Sequence, residues 1–282
     1  MNNIKLISDS TCDLSQEIIE KYDISIVPLY VTFDKDSYRD GVDIDTKKLY
    51  KTVKERDILP KTSSPTPSDF YKEFKKYVDL EKDIIYIGLS SEISSTIQNA
   101  KIAADQFENS NIYIIDSKNL SAGIGLLLLK ANDYINEGLS TEEIVKKINR
   151  DIDKVRTSFI VDTFDYLHKG GRCNTIQSFI GGMFKIKPII KVVDGKIIVG
   201  QKPRGKKKKA LKVIINNIIK NKESIDLSRI IIGDSMSYQD SLFFKNELQK
   251  NVSFDETIFI NAGCVISSHC GENTTGVYYM NK

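Results

Sequence analysis

The stretch DIIYIGLSSEISST, residues 83–96, decides the fold class. Its first seven residues form a short, Ile-rich apolar run, the pattern of a strand buried on both faces. Residues 90–96 are mostly small and hydroxylated, and from Ser94 to Phe107 the apolar positions Ile97, Ile102 and Phe107 keep helical spacing. A buried strand that runs through a polar turn into a helix belongs to a parallel sheet, because parallel neighbours need a crossover. The same grammar recurs on either side. IKLI (4–7) is followed by the polar turn SDSTCDL and a helix beginning near Gln16, with Asp13 or Ser15 as its cap. NIYIID (111–116) precedes helices over 120–136 and 141–154. Residues 24–33 predict another strand, which Pro28 confines to an edge or breaks.

A new strand over 158–163 opens the second half. Asp194-Gly195 between β-rich runs predicts a hairpin. A helix over 206–220, a strand over 229–234, a helix over 238–249 and closing strands near 257–260 and 276–280 follow. The expectation is an α/β protein of two α/β domains. Residues 1–156 would hold a largely parallel sheet flanked by helices, and residues 157–282 a mixed sheet with helices. At about 150 residues per domain, 282 residues agree with that count.

Composition narrows the class of function. Lys and Arg number 41 against 38 Asp and Glu, a net charge of +3. That excess is too small for a general nucleic-acid or membrane-surface binder. No apolar run approaches the ~20 residues a membrane span requires, and the N-terminus turns polar by Ser8, too early for a signal peptide. Four cysteines and two histidines fall in no metal-binding spacing, which disfavours structural zinc and fits a reducing cytoplasm.

Two nucleotide-binding patterns nearly match. Gly123-Ile-Gly125 lacks a third glycine, so close helix–sheet packing is the stronger reading. Gly200 to Lys207 has phosphate-loop spacing, but Pro203 removes an amide from the cradle and Lys207 replaces the hydroxyl that would hold Mg²⁺. The run Lys206 to Lys209 opens a helix, where four cations oppose the macrodipole. It reads either as a solvated turn or as a contact for an acidic or phosphate-bearing partner.

Two hydroxyl-rich segments are candidate anion sites. Residues 62–68 (TSSPTPS) precede an amphipathic helix, and residues 90–96 lie at the carboxyl edge of the parallel sheet, where ligands settle. Hydroxyls with helix N-terminal amides suit a carboxylate or phosphate; simple capping by Ser94 is the alternative. Arg172, on a Gly-rich loop, reads as an anion clamp or a solvated side chain. His269 has no partners at a triad spacing. Cys12 reads as a reactive thiol or an inert small side chain.

Taken in order, these segments resemble the DegV family, bacterial fatty-acid-binding proteins that serve fatty acid kinase. DSTCDL (9–14) is similar to the family's DSTxDL, followed by Val27-Pro28-Leu29, and YRDG (38–41) to its Y-x-D-G turn. TSSP (62–65) resembles its TSxP loop, and residues 90–96 its SSxLSGT loop. Asp116-Ser117, LHKGGR (167–172), IKP (186–188), Arg204-Gly205 and His269-Cys270-Gly271 complete the series.

The resemblance implies one long-chain fatty acid held between the two domains. Its carboxylate would lie on Thr62, Ser94, Ser95 and His269. Arg172 and Arg204 are implied in phosphoryl transfer or kinase docking. The chain would be no complete enzyme and hold no cofactor. A separate kinase subunit would bring ATP and Mg²⁺, and the acyl phosphate would pass to acyltransferases of phospholipid synthesis. Ser95 stands where the family usually has Gly, Cys270 replaces Thr, and Glu272-Asn273 replaces Pro-Gly. Apolar walls are expected at residues 159–161, 179–180 and 183–184. The rival reading is a free-standing enzyme that acts on a small carboxylate or phosphate ester through Cys12 or His269.

Overall fold

The computed structural model describes residues 3–173 and 186–282. A four-stranded, all-parallel sheet has the order β2-β1-β6-β7, from β1 (Ile4–Asp9), β2 (Ser25–Val27), β6 (Asp83–Gly88) and β7 (Ile112–Asp116). β1 and β6 are buried from their second residue onward, as continuous apolar runs in a covered parallel sheet should be. From β1 the chain crosses to β2 on one side, whereas β6 leads to β7 on the other. The switch point therefore lies between the carboxyl ends of β1 and β6, the crevice where such sheets bind ligands.

Pro28 breaks the strand expected over 24–33. β2 ends at Val27, and the chain leaves the parallel sheet for a small antiparallel one of order β4-β3-β5, from β3 (Tyr30–Phe33), β4 (Asp36–Arg39) and β5 (Lys61–Ser63). The hydroxyl-rich segment 62–68 thus begins inside a strand, with Thr62 paired to Val31.

The second half forms a six-stranded mixed sheet of order β10-β9-β8-β13-β11-β12. Its strands are β8 (Val155–Ile160), β9 (Ile190–Val193), β10 (Lys196–Val199), β11 (Ile225–Ser235), β12 (Glu256–Asn261) and β13 (Thr274–Asn281). The expected hairpin turn at Asp194-Gly195 joins β9 to β10, and both residues have positive φ. Because β8 starts at Val155, the boundary expected at 156/157 falls inside a strand of this sheet.

The helices are α1 (Gln16–Lys21), α2 (Thr46–Arg56), α3 (Pro67–Val78), α4 (Thr96–Ala104), α5 (Ala122–Asn136), α6 (Thr141–Asp151), α7 (Asp165–Gly170), α8 (Lys207–Lys220), α9 (Tyr238–Gln249) and α10 (Cys264–Cys270). α5 contains the AGIGLLLLKA run and touches both large sheets, against β1 and β6 on one side and β8, β11 and β13 on the other. Its residues 122–129 are all buried, as a helix that is apolar all round must be. The Gly123-Ile-Gly125 pattern serves this packing. A Cβ on Gly123 would lie 2.1 Å from Asn119 Oδ1, and one on Gly125 would lie 2.8 Å from Leu14. The largest core cluster consequently runs through both halves, from Leu6 to Met280.

Lys207 does not stay in the solvated run. Its ammonium donates to Ser237 Oγ at 2.8 Å and to the Asn273 carbonyl, and pairs with Asp240 at 2.9 Å. Lys206, Lys208 and Lys209 remain exposed.

A cavity with a hydroxyl mouth and an apolar interior

Two buried carboxylates organise the crevice. Asp9, at the end of β1, accepts from the Leu89 amide at 2.9 Å and the Tyr86 hydroxyl at 2.7 Å, which ties the 90–96 loop to the opening DST turn. Asp13 was one of two candidates to cap α1, but Ser15 does that. Asp13 instead accepts from Ser121 Oγ at 2.5 Å, where α5 begins, and from the Gly263 amide at 2.9 Å, just before α10. Burial pushes both carboxyls above their ordinary range.

The capping reading of Ser94 is only half right. Ser95 is the N-cap residue of α4 and makes no side-chain cap bond; Ser94 Oγ accepts from the Thr96 amide at 3.3 Å. Ser94 also lies 2.8 Å from Thr96 Oγ1 and 3.0 Å from Ser64 Oγ, and Ser64 Oγ lies 3.0 Å from Ser95 Oγ. The two hydroxyl loops, remote in sequence, thus share one cluster.

His269 lies on α10. Its Nε2 is 2.8 Å from Thr62 Oγ1. Its Nδ1 is buried without a hydrogen-bond partner, facing Gly170, where a Cβ would lie only 2.4 Å away. Burial, with the Arg172 charge adding to it, pushes the imidazole down to about 4, so the ring is neutral at pH 7. Arg172 is exposed and donates to the Gly170 carbonyl at 2.6 Å. The first glycine of LHKGGR therefore lets the chain pass close against the histidine, and the second, at φ +67°, ends α7 in a left-handed cap.

A cavity of about 310 Å³ has Thr62, Ser64, Ser94, Ser95, Arg172 and His269 on its polar side. A second, almost wholly apolar space of about 40 Å³ continues from it, with Leu120, Ile197, Ile266 and His269 bordering both. Phe159, Leu167 and Tyr278 wall this interior. Phe159 belongs to the wall expected at residues 159–161; the expected walls at 179–180 and 183–184 lie outside the described residues.

Thr62, Ser94, Ser95, His269 and Arg172 are therefore brought to one cavity, and Arg204 is not. Arg204 is exposed, bridged to Ile186 through the backbone. Glu272 turns away to pair with Lys54 at 3.2 Å, and Cys270 borders the apolar interior. The hairpin is a contributor the sequence did not reveal. Ser90 Oγ donates to the Gly195 carbonyl at 2.9 Å, and β10 supplies Ile197 to the cavity wall.

This arrangement offers little to nucleophilic catalysis. Cys12 is 1% exposed and lines neither space, and burial pushes its thiol up to about 12, far from a thiolate at neutral pH. Among the described residues, no group of three His, Cys, Asp or Glu is placed to hold a metal ion. No helix among them is long and apolar enough to cross a membrane.

A family model described as uncharacterised protein, DegV family, matches residues 3–282. A DegV domain-containing protein of Clostridium acetobutylicum is 38% identical over 284 residues, with all of both chains covered. A solved structure reported as fatty acid binding of a DegV family protein from Thermus thermophilus superposes with a TM-score of 0.91 at 28% identity, over 99% of each chain. A stearic acid-binding protein from Eubacterium ventriosum gives 0.88 at 28% identity, over 99% of this chain and 98% of that one. The motif order read along the sequence, the two-sheet architecture and these full-length matches agree: this chain belongs to the DegV family.

Proposed function

We propose that the chain binds one long-chain fatty acid, with its carboxylate at the hydroxyl mouth and its tail directed along the apolar lining toward the interior between the two halves. The observation that carries this reading is the junction itself. The Thr62–His269 pair stands where the hydroxyl-lined side of a largely apolar cavity meets a second, almost wholly apolar space, which is the shape of an amphiphile. Each buried CH₂ contributes ~0.8 kcal/mol, on the order of 12 kcal/mol for a C16 tail. A carboxylate taken out of water must recover its lost hydration. Thr62, Ser94 and Ser95 hydroxyls supply donors, His269 supplies one more through Nε2, and Arg172 supplies charge at the rim.

Neutral donors hold a carboxylate without locking it in a buried ion pair, so an oxygen remains able to attack phosphorus. The proposed role is accordingly that of a substrate-carrying subunit in the cytoplasm. A separate ATP-dependent fatty acid kinase would phosphorylate the bound acid, with Arg172 and Arg204 toward that partner, and acyltransferases of phospholipid synthesis would consume the product. Exposure of both arginines supports that assignment.

The test is organic extraction of the purified protein followed by mass spectrometry. Near-stoichiometric C14–C18 acid is expected. A protein that carries none and takes up no palmitate in a titration would refute the lipid reading. Loss of acyl-phosphate formation in Arg204→Ala, with palmitate still bound, is the outcome expected for the kinase role.

A further inference from the structure

α10 is only seven residues long, yet it carries His269, and its start is held by two acidic side chains from the opposite half of the chain. Asp40, 3% exposed, accepts from the Cys264 amide at 2.7 Å and from the Val265 amide at 3.3 Å. Asp13, 6% exposed, accepts from the Gly263 amide at 2.9 Å. The two carboxyls flank one residue so closely that a Cβ on Gly263 would lie 3.0 Å from Asp13 and 3.2 Å from Asp40. Thr46 Oγ1 donates to the Ala262 carbonyl at 2.9 Å, which fixes the preceding peptide as well.

Burying two acids beside each other is costly, and the electrostatic return from the first turn of so short a helix is modest. Such an arrangement earns its place by geometry. Three consecutive amides, those of residues 263–265, are pinned at one end of α10, and the imidazole projects from the other end to meet Thr62. Asp13 also grips Ser121, whose backbone at φ +52° and ψ −141° is unusual for a residue with a side chain. Ser121 and its neighbour Leu120 both border the apolar interior.

We propose that Asp13 and Asp40 are positioning residues, which hold the amides at the start of α10 so that His269 reaches Thr62 and a ligand carboxylate. The ligand part of this inference rests on the fatty acid reading above. The inference also gives the DSTCDL and YRDG motifs a role, although neither supplies a side chain to the hydroxyl mouth.

The test uses Asp13→Asn and Asp40→Asn in the full chain. Asparagine keeps the shape of aspartate but turns one acceptor into a donor, opposed to an N–H. With only two histidines in the sequence, the imidazole signals of His269 are assignable by NMR against His269→Gln. Displaced His269 signals are expected in both variants. Palmitate should weaken by about tenfold or more, the scale of one lost hydrogen bond to a charged group. Hexadecanol, which carries the same tail without the anion, should stay within about threefold if only the head group is disturbed. Folded variants with unmoved His269 signals, or equal weakening of acid and alcohol, would overturn the proposal. If the Asn variants do not fold, Ser121→Ala removes one donor to Asp13 and leaves both acids in place. It should shift the same signals, and unshifted signals would remove Asp13 from the role. If wild-type protein binds neither probe, the lipid reading fails, while the NMR comparison still decides the positioning.

Discussion

Gly170→Ala isolates the contact between the LHKGGR segment and His269. Gly170 is the last residue of α7 and has no positive φ, so its backbone accepts alanine. Replacing glycine in a helix by alanine contributes roughly 0.5–1 kcal/mol on its own. The opposing effect is steric. The new Cβ would lie 2.4 Å from His269 Nδ1, where ordinary contact begins about 1 Å further out. The Thr62–His269 bond, at 2.8 Å, has less slack than that before it ceases to be a bond near 3.5 Å. The ring must therefore leave Thr62, or α7 must back away from α10. Overpacking of this size costs about 1–3 kcal/mol, so net destabilisation should stay below about 2.5 kcal/mol. The ligand carboxylate should lose one charge-assisted bond, about 1.5–3 kcal/mol or roughly 10- to 150-fold in Kd. Palmitate titration by calorimetry, run beside thermal melts, measures both quantities. Gly171→Ala is the control. It has open space around its Cβ but sits at φ +67°, so it should lower stability by about 1 kcal/mol and leave Kd alone. A folded Gly170→Ala protein that binds palmitate as tightly as wild type would refute the reasoning.

Three further outcomes follow from the same geometry. His269 is held down to about 4 against an ordinary 6.5, so its neutral form is favoured in the fold; its contribution is complete above pH 6.5 and is lost as pH falls toward 4, to a limit of roughly 3 kcal/mol. The stability difference between wild type and His269→Gln, followed by denaturant titration, should change by up to that amount across the window, and parallel curves would contradict it. Gly195→Ala meets both a φ of +80° and a Cβ 2.5 Å from Ser90 Oγ. It should cost about 1–3 kcal/mol, and thermal melts of the double variant with Ser90→Ala should recover the steric share alone. Ser95→Gly restores the residue usual in the family at an exposed cap without a side-chain cap bond. Its stability should change by less than about 0.5 kcal/mol, while palmitate binding should weaken by roughly tenfold as the carboxylate loses the Ser95 donor, which a melt and a titration together check.

The parallel sheet was legible because β1 and β6 are covered on both faces, and a doubly buried strand must be written as an apolar run. α5 was legible for a related reason, since a helix pressed between two sheets has no polar face to disguise it. The failures have an equally physical source. β5 is three residues of Lys-Thr-Ser, held by pairing with β3 rather than by any apolar pattern of its own. α10 buries Cys264, Val265, Ser267, Ser268 and Cys270, a set too small and too polar to announce a helix. Its amides are satisfied from Asp13 and Asp40, 224 or more positions away, so no local capping signal marks its start.

The candidate site divides along the same line. Which residues belong to it was carried by the family motifs, and five of the six named side chains meet at one cavity. What each motif does there depends on long-range partners that spacing cannot encode. DSTCDL reads as a turn whose cysteine is either a reactive thiol or an inert small side chain; in the fold its acids make the long-range contacts, and Cys12 is packing between them. LHKGGR looked like an arginine loop, yet Gly170 governs the histidine through the space it leaves empty. A motif assembled from loops at the carboxyl edge of a sheet is selected for the relative placement of those loops. Its most constrained members can therefore be the ones that never touch the ligand, and the Asp13–Gly263–Asp40 bracket is the clearest instance in this chain.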